Sequence, residues 1–298
     1  MTKNDITRGL IDFAVSQCLK NIKEDPYRSI RRLADLGRQF AKGRFQEELF
    51  SLFQRLLLND EMLKQLVSSV DTDSLKTLGI NIGYNSWTCG ASRLRQITAE
   101  KDYPHWLAEI SLSPESSASQ LKEQLSAALK NGTYAFRLHM PAQSITTDTR
   151  QLGLIREFPD CSFFLDFMDT DCTYSDDLLE LTCSCDNLAF LVPFGSLQSR
   201  QLVDLLNARQ RIYGVCRTYD NTNAAERISD SQISEMLSWG SPLLFFLAAA
   251  DTTQDNRLLV DNAILDARLH QTYPALLIHL DADVARIQQL LLSSRKNL

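Results

Sequence analysis

The sequence predicts an α/β fold: a partial or closed (β/α) barrel of six to seven parallel strands, preceded by an all-helical N-terminal segment. Three observations predict it. Residues 1–100 carry apolar side chains at helical spacing, and residues 101–298 alternate short apolar runs with helical stretches. The apolar runs begin about every 25–30 residues, the length of a strand plus its crossover helix, so neighbouring strands run parallel. Six or seven such units in unbroken series favour a barrel, with a doubly wound open sheet as the structural alternative.

In the first part, Leu10, Ile11, Ala14, Val15, Cys18, Leu19 and Ile22 recur on one helix face. Pro26 suits the first turn of a second helix, with Ile30, Leu33, Ala34 and Leu36 inward. A third stripe follows at Phe45, Leu49, Leu52, Phe53, Leu56 and Leu57. Between Leu75 and Arg95 the pattern breaks. Gly79, Gly83 and Gly90 make this stretch too glycine-rich for a long helix, and it reads as a connection packed against the next domain. In residues 101–298 the strands are expected at 106–112, 133–139, 161–167, 188–194, 211–218, 242–248 and 275–280. Helices are expected between them at 119–130, 176–183, 199–209, 230–239 and 258–270.

At 298 residues the chain can bury a large core, and its 44% apolar and 23% charged content is that of a globular protein rather than a disordered one. No apolar run approaches the ~20 residues of a membrane span, and the start lacks a secretory signal, so a cytoplasmic location without membrane contact is expected. The seven cysteines, Cys18, Cys89, Cys161, Cys172, Cys183, Cys185 and Cys216, are odd in number and irregularly spaced, which fits reduced thiols. Residues 1–100 hold 15 Lys and Arg against 12 Asp and Glu, a net of +3; residues 101–298 hold 16 against 25, a net of −9. A nucleic acid would meet that negative field, so none is expected as a partner. Arg28, Arg31, Arg32 and Arg38 read as a solvated helix face.

Three segments carry a resemblance: Glu24-Asp25-Pro26 with Leu33-Ala34-Asp35-Leu36, then Gly79-Ile80-Asn81-Ile82-Gly83-Tyr84-Asn85, then Pro104-His105-Trp106-Leu107-Ala108-Glu109-Ile110-Ser111-Leu112-Ser113-Pro114. Over nearly its whole length the chain resembles one branch of the radical S-adenosylmethionine superfamily, whose helical lead-in and glycine-containing connector precede a six-stranded partial barrel. The resemblance implies a CxxxCxxC loop after the first strand, where three thiolates hold a four-iron cluster. The corresponding stretch here runs from Ser113 to Lys122 and contains no cysteine. Serine is a poor substitute as a cluster ligand. The resemblance also implies a Gly-Gly-Glu type turn after strand two, and this chain has His139-Met140-Pro141-Ala142 there. No cofactor and no metal are therefore expected.

Strand alternation supplies a candidate site. Arg137 and His139 share one face of strand two, Glu109 and Ser111 oppose the apolar set of Trp106, Ala108, Ile110 and Leu112 on strand one, and Asp166 lies on strand three with Phe164 and Met168. Glu109, Arg137, His139 and Asp166 are expected to converge inside the barrel, with Arg217 of strand five added to this interior polar site. Buried charges of both signs should pair. A second cluster, Asp166, Asp169, Asp171, Asp176 and Asp177, lacks the glycine and glutamate of a calcium loop and reads as a solvated loop with an N-cap at Ser175. Cys183-Ser184-Cys185 is too tightly spaced for a zinc ribbon. The expected function is that of a non-catalytic barrel acting as a binding, scaffold or regulatory partner of an intact enzyme or a peptide. The alternative is an enzyme with a cluster-independent acid/base site at the barrel mouth, His139 serving as acid or base and Arg137 holding an anion.

Overall fold

The structure is a computed structural model and describes residues 3–40, 60–97, 104–112, 117–140, 153–167, 180 and 184–293. The stripe from Phe45 to Leu57, the helix expected at 176–183 apart from residue 180, the carboxylates Asp169, Asp171, Asp176 and Asp177, and Cys172 and Cys183 lie outside these residues.

Helices α1 (Lys3–Leu19) and α2 (Pro26–Phe40) form where the apolar periodicity predicts them. Asp25 caps α2, its Oδ1 accepting from the Arg28 N–H at 3.0 Å, and Pro26 takes the first helical position, where a missing N–H costs nothing. Leu19, Ile22, Ile30 and Leu33 pack with Val67 of α3 (Asp60–Ser69).

The glycine-bearing stretch corrects an expectation. Residues 72–96 are continuously helical: α4 (Thr72–Ile80), a π-helical segment (Asn81–Gly90) and α5 (Ala91–Gln96). Tertiary anchoring outweighs the ~1 kcal/mol helix penalty of each glycine. Asn81 Nδ2 donates to Pro159 O and Cys161 O, both at 2.9 Å, and Asn85 Nδ2 donates to Asp160 O at 2.9 Å. Gly90 is required by close approach, because a Cβ there would stand 2.2 Å from Gly132 O. The wide helical turns of this segment thus serve the contact with the barrel floor.

Seven parallel strands follow in sequence order: β1 (Leu107–Ser111), β2 (Ala135–Met140), β3 (Ser162–Phe167), β4 (Leu188–Pro193), β5 (Tyr213–Tyr219), β6 (Leu243–Ala248) and β7 (Leu276–His279). The sheet curls into a half-barrel with β1 and β7 as its two edges, so the barrel is partial rather than closed. On its convex face Phe136, Phe163, Phe190, Val215 and Leu244 meet α6 (Ala118–Lys130), α7 (Leu197–Ala208), α9 (Asp230–Leu237) and α10 (Gln254–His270) through Leu125, Leu202, Met236 and Ile264. The short α8 (Ala224–Arg227) lies between β5 and α9.

The concave face is divided. Toward β4 to β7 it is apolar, with Leu191, Cys216 and Phe245 against Leu280 and Val284 of α11 (Leu280–Ser293). Gly214 fits only as glycine, since a Cβ would lie 2.2 Å from the Phe245 ring. Trp106 departs from the expected face: it precedes β1 and packs with Ala91, Leu94 and Leu291, its Nε1–H donating to Val284 O at 3.1 Å. Toward β1 to β3 the concave face is apolar at its base, where Leu107, Ala135 and Phe164 pack with Val284 and Ile287, and polar above that layer. No helix among the described residues is long and apolar enough to cross a membrane.

Candidate functional site

The polar part of the concave face is built by strand register. Glu109 on β1 stands beside Arg137 on β2, and His139, two residues further along β2, stands beside Asp166 on β3. Each of these side chains points inward because its neighbours, Ile110, Phe136, Leu138 and Leu165, take the convex face.

Arg137 is the hub. Its Nε and Nη2 both donate to Asp166 Oδ2, at 2.9 and 2.5 Å, and its Nη1 donates to Glu109 Oε1 at 3.0 Å. His139 sits between the same carboxylates, Nε2 3.4 Å from Glu109 Oε2 and Nδ1 3.2 Å from Asp166 Oδ2. The Nδ1 contact is a charge contact, because its direction does not meet hydrogen-bond geometry. Arg137 and Asp166 side chains are each 7% exposed and His139 11%, whereas Glu109 is 55% exposed and forms the open side of the group.

The electrostatics follow from this packing. Contact with Asp166 and then Glu109 raises the His139 pKa to about 9, against the opposing effects of burial and Arg137. Contact with His139, aided by Arg137, lowers Glu109 to about 2 although burial pushes the other way. Near neutral pH the group is two cations against two anions, with the imidazole holding both protons. An imidazole in that state cannot accept a proton from a substrate.

Arg217 does not join this group. Residues Tyr213, Val215 and Tyr219 of β5 face the helix layer, and Arg217 shares their face while Cys216 points inward. Its guanidinium lies over the Phe194 ring, 4.3 Å from the centroid, with Glu235 Oε2 at 3.7 Å. Position within an alternating strand decides the matter: an odd-numbered residue on β5 faces the helix layer. On β1 and β2 the odd-numbered residues face inward.

The five cysteines among the described residues do not come together as an iron–sulfur cluster would require. Cys161 and Cys185 are buried in the convex layer, Cys216 lies in the apolar half of the concave face with its thiol raised well above the usual range by burial, and Cys18 and Cys89 belong to the N-terminal helices. Among the described residues no three His, Cys, Asp or Glu side chains form a group able to hold a metal.

A second buried network escaped sequence reasoning. Tyr219 Oη lies 2.8 Å from His279 Nε2, His279 Nδ1 lies 3.3 Å from Asp261 Oδ1, and Asp261 pairs with Arg286. Burial raises the Tyr219 pKa to about 12. With Tyr219 and His279 only 1% and 2% exposed, this relay fastens β5, β7, α10 and α11 together from within. Its signal was the spacing of Leu280, Val284, Ile287 and Leu291, which marks α11 and places Asp283 and Arg286 beside β7. No family model matches the chain, and no curated protein sequence matches it.

Proposed function

We propose that the chain is a non-catalytic barrel of the radical S-adenosylmethionine type that acts in the cytoplasm as a binding, scaffold or regulatory partner. The observation that carries this reading is the closed ion-pair group of Glu109, Arg137, His139 and Asp166. Arg137 is paired with Asp166 and Glu109, and His139 is held protonated between the same two carboxylates, so among the described residues this group offers neither a neutral imidazole to act as base nor an unpaired guanidinium for an anionic substrate. The sequence after β1 has no thiol between Ser113 and Lys122, and the sequence after β2 has no glycine pair, so neither an iron cluster nor the cofactor finds its usual holders. Anaerobic reconstitution with iron and sulfide tests the reading: the protein should emerge without a stoichiometric chromophore, and a stable four-iron cluster would overturn it.

A further inference from the structure

We propose that the free edge of β1 is a docking site for an extended, basic segment of a partner protein, an assignment that rests on the binding role above and names the partner's chemistry. The half-barrel has two edges, and the molecule treats them differently. At β7 the outward main-chain groups are occupied: Leu277 O accepts from Arg268 Nε at 2.6 Å, and the His279 N–H donates to Asp283 Oδ2 at 3.1 Å. Arg268 and Asp283 are themselves bonded, Nη1 to Oδ1 at 3.0 Å, so these side chains block strand addition there.

At β1 no such block exists among the described residues. The Leu112 N–H donates to His139 O at 2.9 Å, which fixes the alternation of the parallel ladder. The main-chain groups of Ala108 and Ile110 consequently turn toward β2, and those of Glu109 and Ser111 turn away from the sheet. Both latter residues are exposed. A bare edge of this kind pairs readily with an added strand.

Side chains select the occupant. An added strand would place alternate residues beside Glu109 on the concave side and beside Ala108 and Ile110 on the convex side. Glu109 offers a half-exposed carboxylate and calls for lysine or arginine; Ala108 and Ile110 are half-buried and call for an apolar neighbour. The net charge of −9 over residues 101–298 draws the same kind of partner. A second copy fits poorly, because Glu109 is the central residue of β1 and two such strands paired antiparallel about it would set two carboxylates side by side.

The test uses the full chain and a short labelled peptide alternating valine and lysine, followed by fluorescence anisotropy and amide hydrogen exchange. Saturable binding is expected, weakened by salt, with exchange slowed at Glu109 and Ser111 and unchanged at Ile110. Methylating the peptide amides that face β1 should weaken binding about tenfold or more through lost main-chain bonds, and this control leaves the protein untouched. Ser111→Pro, which removes an outward N–H, should weaken it similarly. Absence of saturable binding, equal binding of a valine–glutamate peptide or of the methylated peptide, or protection of Glu109 and Ser111 through concentration-dependent self-association would each overturn the assignment. Those failures leave the non-catalytic reading standing, since cluster reconstitution bears on that and peptide binding does not.

Discussion

Arg137 and Asp166 are joined twice through one carboxylate oxygen, Nε at 2.9 Å and Nη2 at 2.5 Å, with both side chains buried on the concave face. Adjacent parallel strands place Arg137 one step below Asp166, and Glu109 and His139 complete the group from either side. This geometry, together with the helical floor that supports it, leads to four expectations.

The group imposes a pH dependence on stability. His139 is raised from an ordinary value of 6.5 to about 9, so its contribution is fully present below about pH 6.5 and is lost as pH climbs through 9. Glu109 is lowered from 4.5 to about 2, so its contribution is present above about pH 4.5 and fades as pH falls toward 2. Urea midpoints of the parent should decline between pH 6.5 and 9, and those of His139→Gln should decline less. Parallel curves for the two proteins over that range would refute the assignment.

Two glycines of the π-helical segment should behave oppositely. Gly90→Ala drives a Cβ toward the Gly132 carbonyl and should cost about 1–3 kcal/mol. Gly83→Ala meets nothing within 4 Å in a backbone of negative φ, and should be neutral or stabilise by about 0.4–1 kcal/mol. Denaturant unfolding of both variants measures the difference; equal destabilisation would show that glycine's backbone freedom, rather than close approach, is what the segment uses.

S-adenosylmethionine should bind weakly or not at all, because the sequence after β2 offers no glycine cradle and the sequence after β1 no thiols for a cluster. Titration calorimetry is the check. A one-site isotherm in the micromolar range would count against the reading.

The barrel was legible because parallel strands buried on one face and alternating on the other leave clear apolar runs, and every expected strand falls on an observed one. The inward set of Glu109, Arg137, His139 and Asp166 was legible for the same reason: period two fixes the face once the apolar set is known. Arg217 misled because proximity to the strand end said nothing about direction: period two sets it on the face of Tyr213, Val215 and Tyr219, opposite Cys216. The helix through Gly79, Gly83 and Gly90 was illegible locally, since its stability comes from Asn81 and Asn85 reaching carbonyls about 75–80 residues away in sequence. The Tyr219–His279–Asp261–Arg286 relay likewise joins four elements; the apolar spacing from Leu280 to Leu291 marks the last helix but not the partners it meets.

Thermal melts of Arg137→Met and His139→Ala at one pH near neutrality test the closed ion-pair group most directly. Arg137→Met strands the buried Asp166 carboxylate and should cost about 3–5 kcal/mol, a sharp fall in Tm. His139→Ala should also destabilise, through a cavity and the lost contact with Glu109. Two variants as stable as the parent would contradict the account and mark the inner face as an open ligand site.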